Sequence, residues 1–263
     1  MPARKGACGV FDLAAISLPE LLPFILVGFA AQLIDGALGM AFGVISTTLL
    51  ISRGVDPAVA SASVHAVEVF TTGASGVSHV AHRNVNWRLF RRIVIPGVIG
   101  GILGAYVLTQ ISAGTARPFV LVYLAGIGLY LLLRGIRQAH RERKPRVVEP
   151  LGLVGGFLDA AGGGGWGPVV TSNLLAQGAH PRKVIGTVNT AEFFIALTIS
   201  ATFLVSLQTE ALTIAMAGLL IGGVAAAPFG ALVAKRIPAR PLLVLVAVVL
   251  IVTSLYGIWS ALR

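Results

Sequence analysis

The chain has 263 residues, 56% of them hydrophobic and 11% charged, with a mean hydropathy of +0.89. A soluble domain carries about 25% charged and about 45–50% apolar residues, so this chain lacks the polar residues to coat a water-facing surface. The net charge of +10 does not signal nucleic acid, because no basic stripe is interleaved with stacking aromatics. Lys and Arg gather instead between apolar runs, notably at 83–92 and 134–146, as cytoplasmic loops of multi-pass membrane proteins do. Runs such as Leu242–Val252 are apolar on every face, which fits helices and not the alternating strands of a barrel. The single cysteine, Cys8, allows no intramolecular disulfide and no Cys-cluster metal site. No apolar stretch with a small-residue cleavage site directly follows Arg4 and Lys5, so no removable signal peptide is expected.

In chain order, the first apolar segment, 21–51, is interrupted by Asp35-Gly-Ala-Leu-Gly-Met-Ala-Phe-Gly43. Segments follow at 57–81, 89–111 and 116–133, and then the charged, Pro145-containing stretch 134–149 reads as an exposed connector. The pattern recurs at 150–177, interrupted by Asp159-Ala-Ala-Gly-Gly-Gly-Gly-Trp-Gly-Pro168, and at 183–207, 211–234 and 240–262. The expected organisation is a first repeat over 1–133, a basic linker over 134–149 and a second repeat over 150–263.

Sliding the second half back by 124 positions aligns Asp35–Glu68 with Asp159–Glu192 without a gap. Asp35, Gly39, Gly43, Thr47, Gly54, Pro57 and Glu68 meet identical residues at Asp159, Gly163, Gly167, Thr171, Gly178, Pro181 and Glu192. Matching apolar letters would mean little here, but Asp, Pro and Glu in one register mean an internal duplication.

Each first segment is expected to be a broken or re-entrant helix. Gly costs about 1 kcal/mol and Pro about 3 kcal/mol relative to Ala in a helix. The apolar arms around the second interruption, 150–158 and 169–177, fall well short of the roughly 20 residues that span a bilayer. Re-entry of both segments concentrates Lys and Arg on one face more strongly than eight simple crossings do. It also leaves three crossings per half and makes the halves inverted repeats, a recurring transporter architecture. The expected fold is an all-α polytopic membrane protein of two homologous halves, each with a Gly-broken segment plus three transmembrane helices.

Embedded polar residues mark the candidate site. A carboxylate at the centre of a membrane helix costs at least ~2.5–3.5 kcal/mol and is a functional candidate by default. Asp35, Asp159, Glu68 and Glu192, with His65 beside Glu68, are therefore candidate coupling or proton-carrying groups. Desolvation disfavours a charged carboxylate. The competing reading for Asp35 and Asp159 is that they cap the half-helices that follow; for Glu68 and Glu192 it is bracing of a neighbouring helix. A helix restarting inside a protein-lined cavity presents free N–H groups and a positive dipole end to an anion, and glycine lets the ligand approach the backbone. The candidate anion-binding set is Gly39, Gly43, Thr47, Gly163, Gly164, Gly165, Trp166, Thr171, Ser172, Asn173 and Asn189.

Two other chemistries are set aside. His65 and Glu68 at i, i+3 could ligate a metal, but the matching pair is Asn189 and Glu192, so no metal is expected. Gly73-Ala-Ser-Gly76 resembles an intramembrane protease loop, but the histidines after Ser75 lie near helix ends or loops. A serine nucleophile needs a positioned base, so the chain reads as no enzyme.

Gly162-Gly-Gly-Gly-Trp-Gly-Pro168, then Gly178 and Pro181, then Val184-Ile-Gly-Thr187 resembles the TauE/SafE sulfite-exporter family, also called the toluenesulfonate uptake permeases. The resemblance covers nearly the whole chain. The first half departs from it, with spaced glycines and Ala62-Ser63 where Gly-Thr is expected. It implies a secondary transporter of small anions such as sulfite, sulfate or organosulfonates, in a bacterial cell membrane, without a cofactor. The implied partners are the anion, the lipid bilayer and H+ or Na+ as coupling ion, with homo-oligomerisation left open. The alternative is a non-transporting scaffold or accessory subunit, which has no use for duplicated buried carboxylates.

Cys8 tests the topology. The re-entrant arrangement puts it outside the cell, whereas eight crossings with the basic faces inside put it in the cytoplasm. A membrane-impermeant maleimide should label intact cells; labelling only after permeabilisation would overturn the re-entrant reading.

Overall fold

The structure, a computed structural model, describes residues 18–136, 145–207, 214–229 and 239–261. Cys8 and half of the basic connector, 137–144, lie outside the described residues. Helix α1 (Leu18–Leu38) is followed by α2 (Phe42–Ser52), α3 (Pro57–Ala81), α4 (Trp87–Gln110) and α5 (Ala113–Ile136). Then come α6 (Glu149–Gly162), a π-helical turn (Trp166–Thr171) continuing into α7 (Ser172–Ala176), α8 (Pro181–Leu207), α9 (Ile214–Ala226) with a 3-10 turn (Ala227–Phe229), and α10 (Ala239–Ala261). Among the described residues there is no strand.

Windows in α1, α4, α5 and α8 are long and apolar enough to cross a membrane, and 42–52, 214–229 and 244–259 are shorter apolar helices. Polarity is turned inside out. Val77, Phe119 and Val205 are more than 70% exposed, whereas Gln32, Asp35, His65, Glu68, Asp159, Asn189 and Glu192 are buried. That distribution suits a lipid-facing exterior.

Helix ends follow sequence chemistry. Asp56 caps α3 by accepting from Ala58 N at 2.8 Å, with Pro57 at the first helical position, where its missing N–H costs nothing. Asn86 caps α4 through Arg88 N and Leu89 N. Gly54 and Gly178 turn the chain before α3 and α8 with φ of +93° and +91°, the left-handed region that glycine occupies without strain.

Both interruptions are shorter than the composition suggests. The helix runs through Asp35 to Leu38 in one case and through Asp159 to Gly162 in the other, so only 39–41 and 163–165 break it. The expected nine-residue arm at 150–158 is thus a 14-residue helix, α6. Pro168 sits within the π-helical turn rather than ending the helix, because early N–H groups of a helix have no intrahelical acceptor to lose. Helix α5 also reaches Ile136, two residues beyond the expected start of the linker at 134, and α6 takes up its last residue, Glu149.

Packing is reciprocal across the chain. Helix α1 packs on α9 while α6 packs on α4; α3 packs on α8 and α5 on α10. The α4–α6 crossing brings backbones together, since a Cβ at Gly100 would strike the Leu153 carbonyl and one at Gly156 the Gly97 carbonyl. Such close approach is how small residues associate helices in lipid. Gly156→Val should therefore destabilise the protein by about 1–3 kcal/mol or more, whereas Gly126→Ala, which meets nothing within 4 Å, should be neutral or slightly stabilising. Thermal denaturation in detergent, with equal midpoints for the two variants as the adverse result, checks this.

Candidate functional site

A helix that stops inside an apolar interior leaves backbone N–H groups needing acceptors. Here two aspartates supply them. Asp35 Oδ1 accepts from Ala41 N at 2.8 Å and Phe42 N at 3.4 Å, across the break. Asp159 Oδ1 accepts from Gly165 N at 2.8 Å and Trp166 N at 2.9 Å. The bonds recur 124 positions apart, as do the left-handed Gly39 and Gly163, with φ of +67° and +68°. The capping reading thus describes the geometry of both aspartates, which take up two N–H groups at each restart.

The two breaks meet. A Cβ at Gly164 would collide with Gly43 and Val44, one at Gly163 with Thr47, and one at Gly167 with Met40 and Gly39. Thr171 Oγ1 donates to Gly39 O at 3.0 Å, and Ser172 Oγ approaches Met40 Sδ at 3.5 Å. Gly164 and Gly167 therefore admit the backbone at and just after the first break, and Gly164, with φ of +144°, is also in a conformation that favours glycine.

Where the breaks touch, a chamber of about 10 Å³ is lined by Asp35, Glu68, Asp159 and Glu192 together with Gly43 and Gly164. That is about the space of one water. All four carboxyl side chains are buried, and Asp35 Oδ2, Glu68 Oε2 and Glu192 Oε2 have no hydrogen-bond partner. His65 Nε2 lies 3.2 Å from Asp159 Oδ2 and 3.8 Å from Glu68 Oε2. Among the described residues, no three of His, Cys, Asp and Glu are grouped to hold a metal ion.

The remaining sequence-selected residues divide. Thr47 Oγ1 and Asn189 Oδ1 are buried without partners, and the Asn189 amide lies beside Gly39. Trp166 is wholly buried with Nε1 donating to Val188 O at 3.2 Å, which makes it a packing residue between the second break and α8. Asn173 turns back onto Val169 O at 2.7 Å. Two neighbours escape the sequence reading. Tyr123 donates to Gly164 O at 3.3 Å, and Ser61 donates to Ala160 O at 2.8 Å. A tyrosine inside an apolar helix, away from the interfacial aromatic belts, and a serine one turn before His65 were the available signals.

A second, wider cleft of about 680 Å³ opens where α4 and α8 begin, lined by Arg88, Arg92, His180 and Lys183. Arg92 pairs with Glu149 at 2.6 and 3.0 Å, and Lys183 donates to Arg83 O at 2.6 Å.

A family model described as "Sulfite exporter TauE/SafE" matches residues 24–257. A Bacillus subtilis (strain 168) protein named "Probable membrane transporter protein YtnM" is 45% identical over 228 residues, covering 83% of this chain and 76% of the relative. No solved structure matches the chain. The chain belongs to the TauE/SafE family and is a multi-pass membrane transporter.

The caps can be tested apart from transport. Asp35→Ala leaves two buried N–H groups without an acceptor and should cost about 1–3 kcal/mol, whereas Asp35→Asn retains an acceptor oxygen and should cost less. Thermal midpoints in detergent report this; equal losses would assign the role to charge rather than to capping.

Proposed function

We propose that the chain is a secondary transporter of small oxyanions of the sulfite, sulfate or organosulfonate type, coupled to protons through its embedded carboxyls. The observation that carries this reading is the convergence of four buried carboxyls on the meeting point of two helix breaks, three of them with an unpartnered oxygen. Such a lining repels an anion while ionised and donates hydrogen bonds to it when protonated. Anion and proton would therefore occupy the site together once the breaks part to widen it beyond the space of one water, with Thr47 and Asn189 offering further polar contacts. The glycines form the wall of that site, and the N–H groups of Ala41, Phe42, Gly165 and Trp166 are held by Asp35 and Asp159.

The cationic cleft at the start of α4 and α8 supports an anion as cargo, because a concave basic surface concentrates anions near its mouth. Protons are taken as the coupling ion because three of the four carboxyls present an oxygen without a hydrogen-bond partner, a place for a titrating hydrogen. The reciprocal packing of α1 on α9 and α6 on α4, with the recurring caps, supports two homologous halves related by an inverted pseudo-twofold axis.

The direction of coupling sets the test. With the inside negative, each negative charge leaving gains about 2.3 kcal/mol per 100 mV, so accumulation of an anion inside requires coupling and its efflux does not. In liposomes loaded with sulfite, sulfate or a sulfonate, Glu68→Gln and Glu192→Gln should still exchange anion. Each should lose accumulation driven by a pH gradient, and unequally, because His65 neighbours only one of the two. Unchanged pH-driven flux in the double variant would rule the coupling role out.

A further inference from the structure

His65 is the feature that the duplicated architecture does not explain. Its counterpart 124 positions on is Asn189. His65 Nδ1 lies 2.7 Å from the carbonyl oxygen of Ser61, one turn earlier in α3. A carbonyl only accepts, so Nδ1 carries a hydrogen. The neutral ring would then present a bare lone pair at Nε2, and what faces Nε2 at 3.2 Å is Asp159 Oδ2, a second acceptor. The contact closes only if one proton lies between them, on the ring or on the carboxyl. Asp159 Oδ1 meanwhile holds Gly165 N and Trp166 N, and Gly164 N bonds to the Asp159 carbonyl at 2.9 Å. The proton's site and the second break share one residue.

We propose that the His65–Asp159 pair is a proton-binding latch that ties the second helix break to α3 and releases it when the proton leaves. The inference rests on the transport reading only for its purpose; the latch itself is a property of the resting protein. Ring tautomerism offers no escape from the release. If the hydrogen moved to Nε2, Nδ1 would face the Ser61 carbonyl as a lone pair. Its remaining neighbour, Ser61 Oγ at 3.3 Å, could donate to it only by abandoning Ala160 O. Either way, loss of the proton breaks one of two ties between α3 and the end of α6. The first break has neither tie. The counterparts of Ser61 and His65 are Ile185 and Asn189, the Asn189 amide donates within its own helix to Ile185 O at 3.4 Å, and Asp35 Oδ2 has no partner. Only one of the two breaks is therefore governed by this proton. The other titratable groups around the pair are Glu68 on α3, Asp35 on α1, Glu192 on α8 and Tyr123 on α5.

Hydrogen–deuterium exchange of the 159–171 segment, measured on the full chain in detergent across pH and corrected for intrinsic rates, tests the latch without substrate. In the parent, protection should fall by roughly tenfold or more as pH rises, the weight of one charge-assisted hydrogen bond. Asp159→Asn keeps an acceptor for the break and turns an amide N–H toward Nε2, so its protection should be high and independent of pH. His65→Asn should be poorly protected at every pH, and Glu68→Gln should retain a pH-dependent fall with its midpoint moved, because Glu68 Oε2 lies 3.8 Å from Nε2. A flat parental profile, parental protection in His65→Asn, or a response abolished by Glu68→Gln would overturn the proposal. Should Asp159→Asn fail to fold, the histidine and glutamate variants decide alone. Loss of flux in liposomes with the exchange response intact would remove the transport reading and leave the latch.

Discussion

Everything at the centre of this protein depends on how two interrupted helices satisfy their backbone in a place without water. Each break frees N–H groups that cost several kcal/mol when left unpaired in an apolar medium. An aspartate near the end of the preceding helix answers each, Asp35 for Ala41 and Phe42, Asp159 for Gly165 and Trp166. That solution places two carboxyls in the core, and each caps with one oxygen, leaving the other facing the interior. The glycines follow from the same constraint, because the two breaks and the start of α2 can come this close only where one side of each contact lacks a Cβ. Acidic chamber and glycine wall are two consequences of one requirement.

The duplicated scaffold carries unduplicated substituents. Turns, caps and the left-handed glycines recur at an offset of 124, from Asp35 and Asp159 to Gly54 and Gly178. The residues that distinguish the halves lie around the breaks: Ser61 against Ile185, His65 against Asn189, Tyr123 against Ala247. Ser61, His65 and Tyr123 all bond to the second break or to the end of the helix before it. One break is therefore tied to α3 and α5 by side chains, whereas Gly39 of the other meets Thr171 and the neighbourhood of Asn189. Symmetric backbone with asymmetric ties gives the two breaks different stabilities.

Much of the fold was legible because a membrane chain writes its segments as apolar runs and its rare polar letters stand out. Asp, Pro and Glu in one register announced turns and buried carboxyls that the structure places in equivalent conformations. Helix extent was less legible. Propensities measured in water penalise Gly155, Gly156 and Gly162, yet α6 keeps them as helix because Val170, α4 and Tyr123 in turn fill the space beside them. The surroundings of the glycine-rich stretch were not legible. Read along the chain, four glycines suggest a ligand at the backbone; in three dimensions Thr47 lies beside Gly163, and Gly43 and Val44 lie beside Gly164. No local pattern could show that, nor that His65 faces Asp159, 94 residues away.

The charge balance of the site constrains any account of its chemistry. The chamber holds four carboxyls and has His65 as its neighbouring base, with no Arg or Lys in its lining. The cations lie at the mouth of the separate cleft where α4 and α8 begin, and two of them are partly spent on Glu149 and Arg83. Fully ionised, the central cluster would confine several like charges in a space that admits about one water, and unit charges 4 Å apart interact by about 4 kcal/mol even at an effective dielectric of 20. Parting the breaks would admit water and lower that repulsion. It would also strip the caps from Ala41, Phe42, Gly165 and Trp166 unless each aspartate moved with its helix restart. Two of the four carboxyls in that cluster are thus also the groups that hold the backbone at the breaks.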